Sequence, residues 1–441
     1  MEEKREEKLP HVSEFPEYCT PVGVTVGRIR KVMHPSGTKR FIGVDLSKQS
    51  CYVCIINRDG QIELHRNFSL RSDKRSELYE KLQEGDLVLM EASTGTFNIA
   101  RAMNKLPGVL VCVVNPHSTR INETKKKTDK EDSLFLAKLI LRTPVEELQL
   151  VSIPSDQEME NRDVISHYRQ VDNRHTQVVN QLHALFFDKG FPEVGKTHDL
   201  HTKVGRYDAI EKCFGTDRAY SFTKRIAKDL SKELSLLEEQ QAVGERQMAR
   251  IVKQNDRVAA ILGSIPGVGL KTIAAFIAFV GDVHRFSQGK QLSAYCGLVP
   301  RVYQSGQKDG IRKITKEGQA ALREYLVEAV FAMMRTKFNF PLKEKYLELR
   351  QRMKSRKAAI AVARKLVVMI FSMLKNGTLF MVEKEENREQ VAAYHKRKYI
   401  QSVGKYYKFR ESCKDISAMI EITNTFYSNE LGVLKFKQQG A

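Results

Sequence analysis

The chain has 441 residues, with 73 Lys and Arg against 53 Asp and Glu, a formal charge of +20 at neutral pH. An excess of that size points to a polyanionic partner, nucleic acid or an acidic membrane surface, rather than to a small-molecule substrate. A hydrophobic fraction of 41% excludes a wholly disordered chain. No apolar run approaches the ~20 residues of a membrane helix, so a membrane-spanning protein is excluded. The opening MEEKREEKLP lacks the apolar stretch of a secretory signal. Seven scattered cysteines suit a reducing, cytoplasmic setting.

Residues 1–38 read as an N-terminal extension that ends at the break H-P-S-G (34–37). From 39 to 150 the pattern alternates between β and α. The runs F-I-G-V-D-L (41–46) and C-Y-V-C-I-I (51–56) have strand length and are followed by the turn N-R-D-G. Residues 61–70 supply a third strand and 76–82 a short helix. The stretches 86–93 and 108–115 are near-continuous apolar strands of the kind parallel sheets bury. The helical spacing of T-F-N-I-A-R-A-M-N-K-L between them completes a βαβ unit, so this region is α/β. Cys51 and Cys54 lie inside an apolar strand with no second Cys/His pair nearby, which favours buried thiols over half a zinc site.

Residues 151–257 are polar and mostly helical. Ile226, Leu230, Leu234 and Leu237 have the spacing of a helix-pair or coiled-coil seam. Between Gly190 and Gly215 the helical pattern fails, which predicts two long helices with an irregular excursion. A mainly α region follows at 258–380. Its later part, 341–375, holds ten Lys/Arg and two Glu, and includes the basic run Arg350–Lys357. Residues 381–441 form a basic, aromatic tail.

Four acids stand out. Asp45 in G-V-D and Glu91 in L-M-E-A-S interrupt or end apolar strands. A carboxylate buried there needs a partner such as a cation; facing solvent, it needs none. In K-T-D-K-E-D, Thr128 and Glu131 have the spacing of a capping box, and Asp129 and Asp132 fall on one helical face. Acids near a helix start also suit its dipole. Taken together, four carboxylates make the oxygen-rich ligand set of Mg²⁺ or a similar hard divalent cation. Paired ions of this kind activate a nucleophile and stabilise a leaving oxygen in phosphodiester transfer.

The segments G-V-D-L-S-K, M-E-A-S-T-G and V-N-P followed by K-K-T-D-K-E-D-S resemble the RuvC-like (ribonuclease-H fold) domain of DEDD transposases, specifically the insertion-sequence one-ten family, to which Piv-type DNA invertases are related. The resemblance implies a DEDD tetrad of Asp45, Glu91, Asp129 and Asp132 with Mg²⁺ or Mn²⁺ as cofactor.

I-P-G-V-G (265–269) precedes an expected helix near Lys271. Gly267 and Gly269 there would let backbone amides reach a phosphate, as helix-hairpin-helix modules do; a plain interhelical turn is the alternative. Ser305 lies in an expected Gly/polar loop with Arg301, Lys308, Arg312, Lys313, Lys316 and Arg323 close in sequence. On residues alone, an exposed loop serine is structural far more often than nucleophilic. The run A-Y-x-G-L-x-P-R…S-G…I-T-K-x-G…L-R, however, is similar to the C-terminal transposase domain of the same family. That likeness implies that Ser305 is the recombinase nucleophile, with Tyr303 as its rival.

The resemblance covers about 40–150 and 255–340. It implies strand cleavage, exchange and rejoining through a phosphoserine–DNA link. The implied partners are donor and target DNA, a bridge RNA, and further copies of the chain forming dimers and a dimer of dimers with composite active sites. The implied location is the cytoplasm, on the nucleoid when acting. Two other readings compete: a Piv-like invertase without a guide RNA, and a non-catalytic DNA-binding protein on a RuvC-like scaffold.

Overall fold

The structure is a computed structural model that describes residues 34–116, 128–215, 218–305, 308–316, 318–336 and 339–380. The expected extension up to residue 33 and the tail from 381 lie outside the described residues. The chain divides into two compact units between Asp156 and Gln157.

The first unit is a five-stranded mixed sheet. Its strands are β1 (Arg40–Leu46), β2 (Ser50–Asn57), β3 (Ile62–Ser69), β4 (Asp86–Glu91) and β5 (Leu110–Val114), in the order β3-β2-β1-β4-β5. The first three pair antiparallel as a meander, whereas β4 and β5 run parallel to β1 and to each other. The apolar β4 and β5 are therefore the parallel strands that their composition predicts. Short α1 (Ser76–Tyr79) follows β3, and α2 (Thr96–Asn104) bridges β4 and β5. An N-terminal mixed α/β sheet agrees with the RuvC-like expectation.

Alternation along the strands sends side chains to two separate layers. Ile42, Val44, Val88, Met90 and Val113 pack with Ile99 and Met103 of α2 on one face. Phe41, Leu87, Leu89 and Val114 pack on the other face with Leu136, Ala137 and Ile140 of α3 (Asp129–Arg142). Cys51 belongs to the first layer and Cys54 to the second, so the two thiols point to opposite faces and cannot grip one ion. Burial pushes the Cys54 thiol up to about 11. The Cys51 thiol rises to about 12 through burial and, secondarily, the negative charge of Asp45.

The start of the parallel pair is closed by an ion pair. Arg40 donates from Nε and Nη2 to both oxygens of the buried Asp86, at 2.8 and 2.7 Å. That hydrogen bond raises the pKa of the Arg40 guanidinium, with burial opposing it. The fork repays the desolvation of Asp86 and fixes the β1/β4 register at the edge opposite the acids.

The second unit is helical, with one hairpin. Long α4 (Asp156–Asp188) and α7 (Ser221–Lys253) run antiparallel: Arg174 bonds Glu233, Gln241 bonds Asp172, and Tyr168 bonds Glu245. Gly244 lets Tyr168 pack closely against α7, because a Cβ there would sit 2.7 Å from the ring. Leu234 and Leu237 are buried in this pair as expected, but Ile226 is 38% exposed, so the seam is shorter than the sequence pattern suggests.

The expected irregular excursion is a correction. Between the long helices lie α5 (Val194–Thr197) and a regular helix, α6 (Lys203–Phe214). Thr202 caps α6, and the fully buried Arg206 ties it to α7 by donating to both oxygens of Glu238.

Beyond these come α8 (Asp256–Gly263), α9 (Leu270–Val280), α10 (Gly289–Tyr295), the hairpin β6 (Pro300–Ser305) with β7 (Lys308–Ile314), and α11 (Ala320–Met334), α12 (Pro341–Arg352) and α13 (Ser355–Asn376). Every residue of α9 except Lys271 is buried, making it the central rod of the unit. The core around it takes Ile165, Tyr168, Met248 and Val252 from α4 and α7 together with residues of α8 to α13. The core thus crosses residue 257, where the sequence suggests a boundary.

Gly267 lies in the connection into α9 with φ +85°, and a Cβ there would lie 2.5 Å from the Met333 nitrogen and 2.6 Å from the Ala329 carbonyl of α11. Gly269 has φ −122° and open space where its Cβ would go. Gly267→Ala should therefore cost about 3 kcal/mol, through the left-handed backbone and overpacking. Gly269→Ala should cost about 1 kcal/mol or less, as a change of helix cap. Chemical denaturation of both variants checks this, and equal losses would contradict the packing.

Candidate functional site

The four acids come from three elements that meet at one edge of the sheet. The last paired residues of β1 and β4 are Val44 and Met90. Asp45 and Glu91 follow them on adjacent strands, at the carboxyl ends. Asp45 continues the face of Phe41 and Gly43, and Glu91 that of Leu87 and Leu89, so both belong to the α3 side of the sheet. In open α/β sheets the crevice beyond the carboxyl ends of parallel strands is where ligands bind. β5 reaches the same edge: Glu91 pairs with Val114, so Asn115 of V-N-P follows beside it.

α3 brings the other two acids to this edge. It lies directly over β1, because a Cβ at Gly43 would collide with the Ser133 carbonyl and the Ala137 amide nitrogen. It runs opposite to β1. Asp129 at its start meets Ser47 beyond the strand, whose hydroxyl donates to Oδ2 at 2.9 Å. At the helix's other end, Leu141 approaches Gly60, 3.6 Å from where its Cβ would be. The helix begins where the capping pattern predicts: the Thr128 side chain accepts from the Glu131 amide, and the Thr128 carbonyl from the Asp132 amide. Asp132 is 7% exposed, Asp45 and Glu91 are half-buried, and Asp129 is exposed.

The turn after Glu91 is held by its own side chains. Thr96 Oγ1 donates to the Glu91 carbonyl at 2.9 Å and accepts from the Ser93 amide at 3.0 Å. Gly95 adopts φ +87° between them. The S-T-G-T string next to Glu91 thus fixes the end of β4.

Four carboxylates supply the hard oxygen donors that Mg²⁺ or Mn²⁺ takes, so the chemistry of these residues suits such an ion. Among the described residues, no three His, Cys, Asp or Glu side chains stand close enough to enclose a metal ion. The edge therefore gathers the acids without closing them into one shell, with Asp129 engaged by Ser47.

The serine region lies in the second unit. Ser305 is the last residue of β6 and pairs with Lys308 across the hairpin tip, so the expected loop is a strand end. Tyr303 pairs with Gly310 farther down the hairpin. Arg301, Arg312 and Lys313 belong to the same two strands by backbone; their side chains and Gly306 lie outside the described residues. At the base of the hairpin the Thr315 amide donates to the Val299 carbonyl. Lys316 takes a left-handed φ of 57° and is exposed, and a Cβ at Gly318 would collide with the Tyr295 carbonyl.

Three expected phosphate contacts have other work. Lys271 sits 4.7 Å over the Tyr168 ring and 3.9 Å from Asp172, so it joins α9 to α4. Arg323 donates to the Cys296 and Lys316 carbonyls at 3.4 Å, and burial lowers its pKa. Gly267 is packed against α11, as described above. Gly269, by contrast, is open. The cations of Arg350, Arg352, Lys354, Arg356 and Lys357 are exposed where α12 passes to α13.

The residues that sequence reasoning missed are Gly43, Ser47 and His65, each of which holds α3 or an acid in place. Among the described residues, no helix is long and apolar enough to cross a membrane.

Residues 42–192 match the transposase family described as DEDD_Tnp_IS110, and residues 259–347 match the "Transposase IS116/IS110/IS902 family". The chain is 27% identical over 343 residues to the transposase for insertion sequence element IS1111A of Coxiella burnetii, covering 76% of this chain and 89% of that protein. It is 25% identical over 351 residues to a probable family 20 transposase of Pseudomonas aeruginosa, covering 77% and 98%. The pilin gene-inverting protein of Moraxella lacunata is 32% identical over 126 residues, 28% of this chain and 38% of that protein. The acids at the carboxyl edge of the sheet fall inside the first matched family and the hairpin of Ser305 inside the second, and the chain belongs to the IS110/IS116 transposase family, with a DEDD domain at its N-terminal end.

Proposed function

We propose that the chain cleaves, exchanges and rejoins DNA strands, with Asp45, Glu91, Asp129 and Asp132 as cation-binding acids and Ser305 as nucleophile. The observation that carries this reading is the meeting of two strand-end acids with the first turn of α3 at one sheet edge. A divalent cation bound there supplies charge neutralisation of the scissile phosphate. The protein's part is to hold the acids rigidly and to bring Ser305 to the phosphorus. The Ser305 Oγ–P bond forms as the P–O3′ bond breaks, and the hydroxyl proton ends on the released 3′-oxygen. A 3′-hydroxyl from another strand reverses the step on a new partner. The phosphodiester's energy is kept in the protein–DNA link, so no ATP is required. Ser305 ends a strand, and sites built on strands are held more precisely than sites on loops.

Exchange requires two duplexes to be held at once, so the active form is a homo-oligomer on donor and target DNA. The exposed cations of Arg350–Lys357, together with Lys316 and the hairpin residues Arg301, Arg312 and Lys313, are the proposed backbone contacts, with the open Gly269 amide region as a further one. Such contacts position a duplex without reading its sequence. A bridge RNA that pairs with donor and target would supply the sequence choice. The likeness to a pilin gene-inverting protein over 126 residues favours a second reading, inversion by the same chemistry without a guide. A structured RNA copurifying with the protein supports the first, and its absence from an active preparation supports the second.

Asp45→Ala, Glu91→Ala and Asp132→Ala should each abolish strand cleavage while leaving a folded, DNA-binding protein, and EDTA should do the same to the unaltered chain. Cleavage of labelled DNA in Mg²⁺ checks this; cleavage that survives EDTA contradicts the metal reading.

Ser305→Ala removes one oxygen at a strand end and should change stability by no more than ~0.5 kcal/mol. It should nevertheless eliminate any protein–DNA adduct that resists SDS, together with recombination. Denaturing electrophoresis and mass spectrometry of the linked peptide read the outcome. An adduct on Tyr303, or normal recombination by Ser305→Ala, contradicts the serine mechanism.

A further inference from the structure

We propose that His65, aided by Ser47, is a positioning residue for the acidic edge, acting by locking the first turn of α3. The proposal rests on the cation-binding reading of the four acids.

His65 is on β3, two strands away from Asp45 in the sheet. It pairs with Cys54, whose side chain is on the α3 face, so the His65 ring shares that face. Its Nε2 lies 2.9 Å from the Lys130 carbonyl and 3.2 Å from the Ser133 hydroxyl. A carbonyl only accepts, so Nε2 carries the hydrogen in this contact. The Ser133 hydroxyl donates to the same carbonyl at 2.8 Å. The ring is braced from the side by Tyr52, edge-on at 5.3 Å, and Tyr52 is the cross-strand partner of Asp45.

Lys130 and Ser133 directly follow Asp129 and Asp132 in the first turn of α3. A helix over a sheet is free to roll about its axis and to slide along it. Gly43 sets how closely α3 approaches, but an apolar contact leaves roll and slide soft. A directional bond from a half-buried ring to the first turn removes that freedom. Ser47 adds a second fixed point by orienting the Asp129 carboxylate itself. Acids that share an ion must be held to within about 0.5 Å and 10–20° of their working positions. Losing a partner that bonds a ligand, as Ser47 bonds Asp129, typically changes metal affinity by about 10–100-fold, and His65, one contact farther out, belongs at the low end of that range.

The test uses reach rather than mere presence. In His65→Gln the side-chain amide nitrogen is the same number of bonds from Cβ as Nε2, so it can donate to the Lys130 carbonyl. In His65→Asn the amide is one bond shorter and falls short of it. Binding of Mn²⁺ to the full-length chain is measured by electron paramagnetic resonance of the free ion, without DNA or turnover. Thermal unfolding of each variant is followed in parallel. His65→Asn should bind Mn²⁺ about tenfold more weakly than the unaltered protein, and His65→Gln should restore binding to within about twofold. Ser47→Ala, an exposed change, should weaken it in the same direction. Equal affinities of His65→Asn and the unaltered chain overturn the proposal, as does a His65→Gln no better than His65→Asn. If the unaltered chain and Asp45→Ala bind Mn²⁺ alike, the cation reading of the acids fails instead, which is a separate outcome.

Discussion

The first turn of α3 reaches the acids because residue 43 has no side chain. At Gly43 the helix backbone rests on the strand backbone, with the Ser133 carbonyl and the Ala137 amide where a Cβ would be. Any other residue would lift the helix by more than an ångström, carrying Asp129 and Asp132 away from Asp45 and Glu91. The rest of the first unit follows from this contact. Arg40 and Asp86 set the register of β1 and β4 so that Asp45 and Glu91 end level. Thr96 and Gly95 hold the turn after Glu91. The apolar layer of Phe41, Leu89, Leu136 and Ile140 holds the helix down along its length.

The second unit repeats the device with different partners. Gly267 lets the entry to α9 lie on α11, Gly244 lets Tyr168 lie on α7, and Gly318 closes the turn under the hairpin. Close approaches of this kind make rigid supports, since a packed core does not deform gradually. The fully buried Arg206, bonded to both oxygens of Glu238, adds a polar tie between α6 and α7. The unit carries a run of exposed cations, Arg350–Lys357, on an otherwise tightly built frame.

Much of this was legible in the sequence because period and capping are local. The strands expected at 41–46, 51–56 and 86–93, the helix start at Thr128 and the long helices of the middle region follow from patterns within a few residues. The four acids were visible as breaks in apolar runs and a spacing of three. What escaped was non-local. Nothing in the I-E-L-H-R-N-F-S string indicates that His65 meets Lys130, since that contact depends on sheet order. Glycines read as phosphate-facing loops divide, in the structure, into one packed against a helix and one open to solvent. α6 was hidden because its apolar residues are few and its main tie is a buried arginine. The β6–β7 hairpin was hidden by a basic, glycine-containing composition that also suits a loop.

The most direct test of the account is to let the protein report where a cation sits. Fe²⁺ substituted for Mg²⁺ generates hydroxyl radicals with peroxide and ascorbate, and these cut the polypeptide next to the bound ion. The fragments of the full-length chain are then mapped by mass spectrometry. Cuts should group near Asp45, near Glu91 and in the first turn of α3, and all should be lost in Asp45→Ala. Cuts concentrated elsewhere, or an identical pattern in Asp45→Ala, would contradict the account.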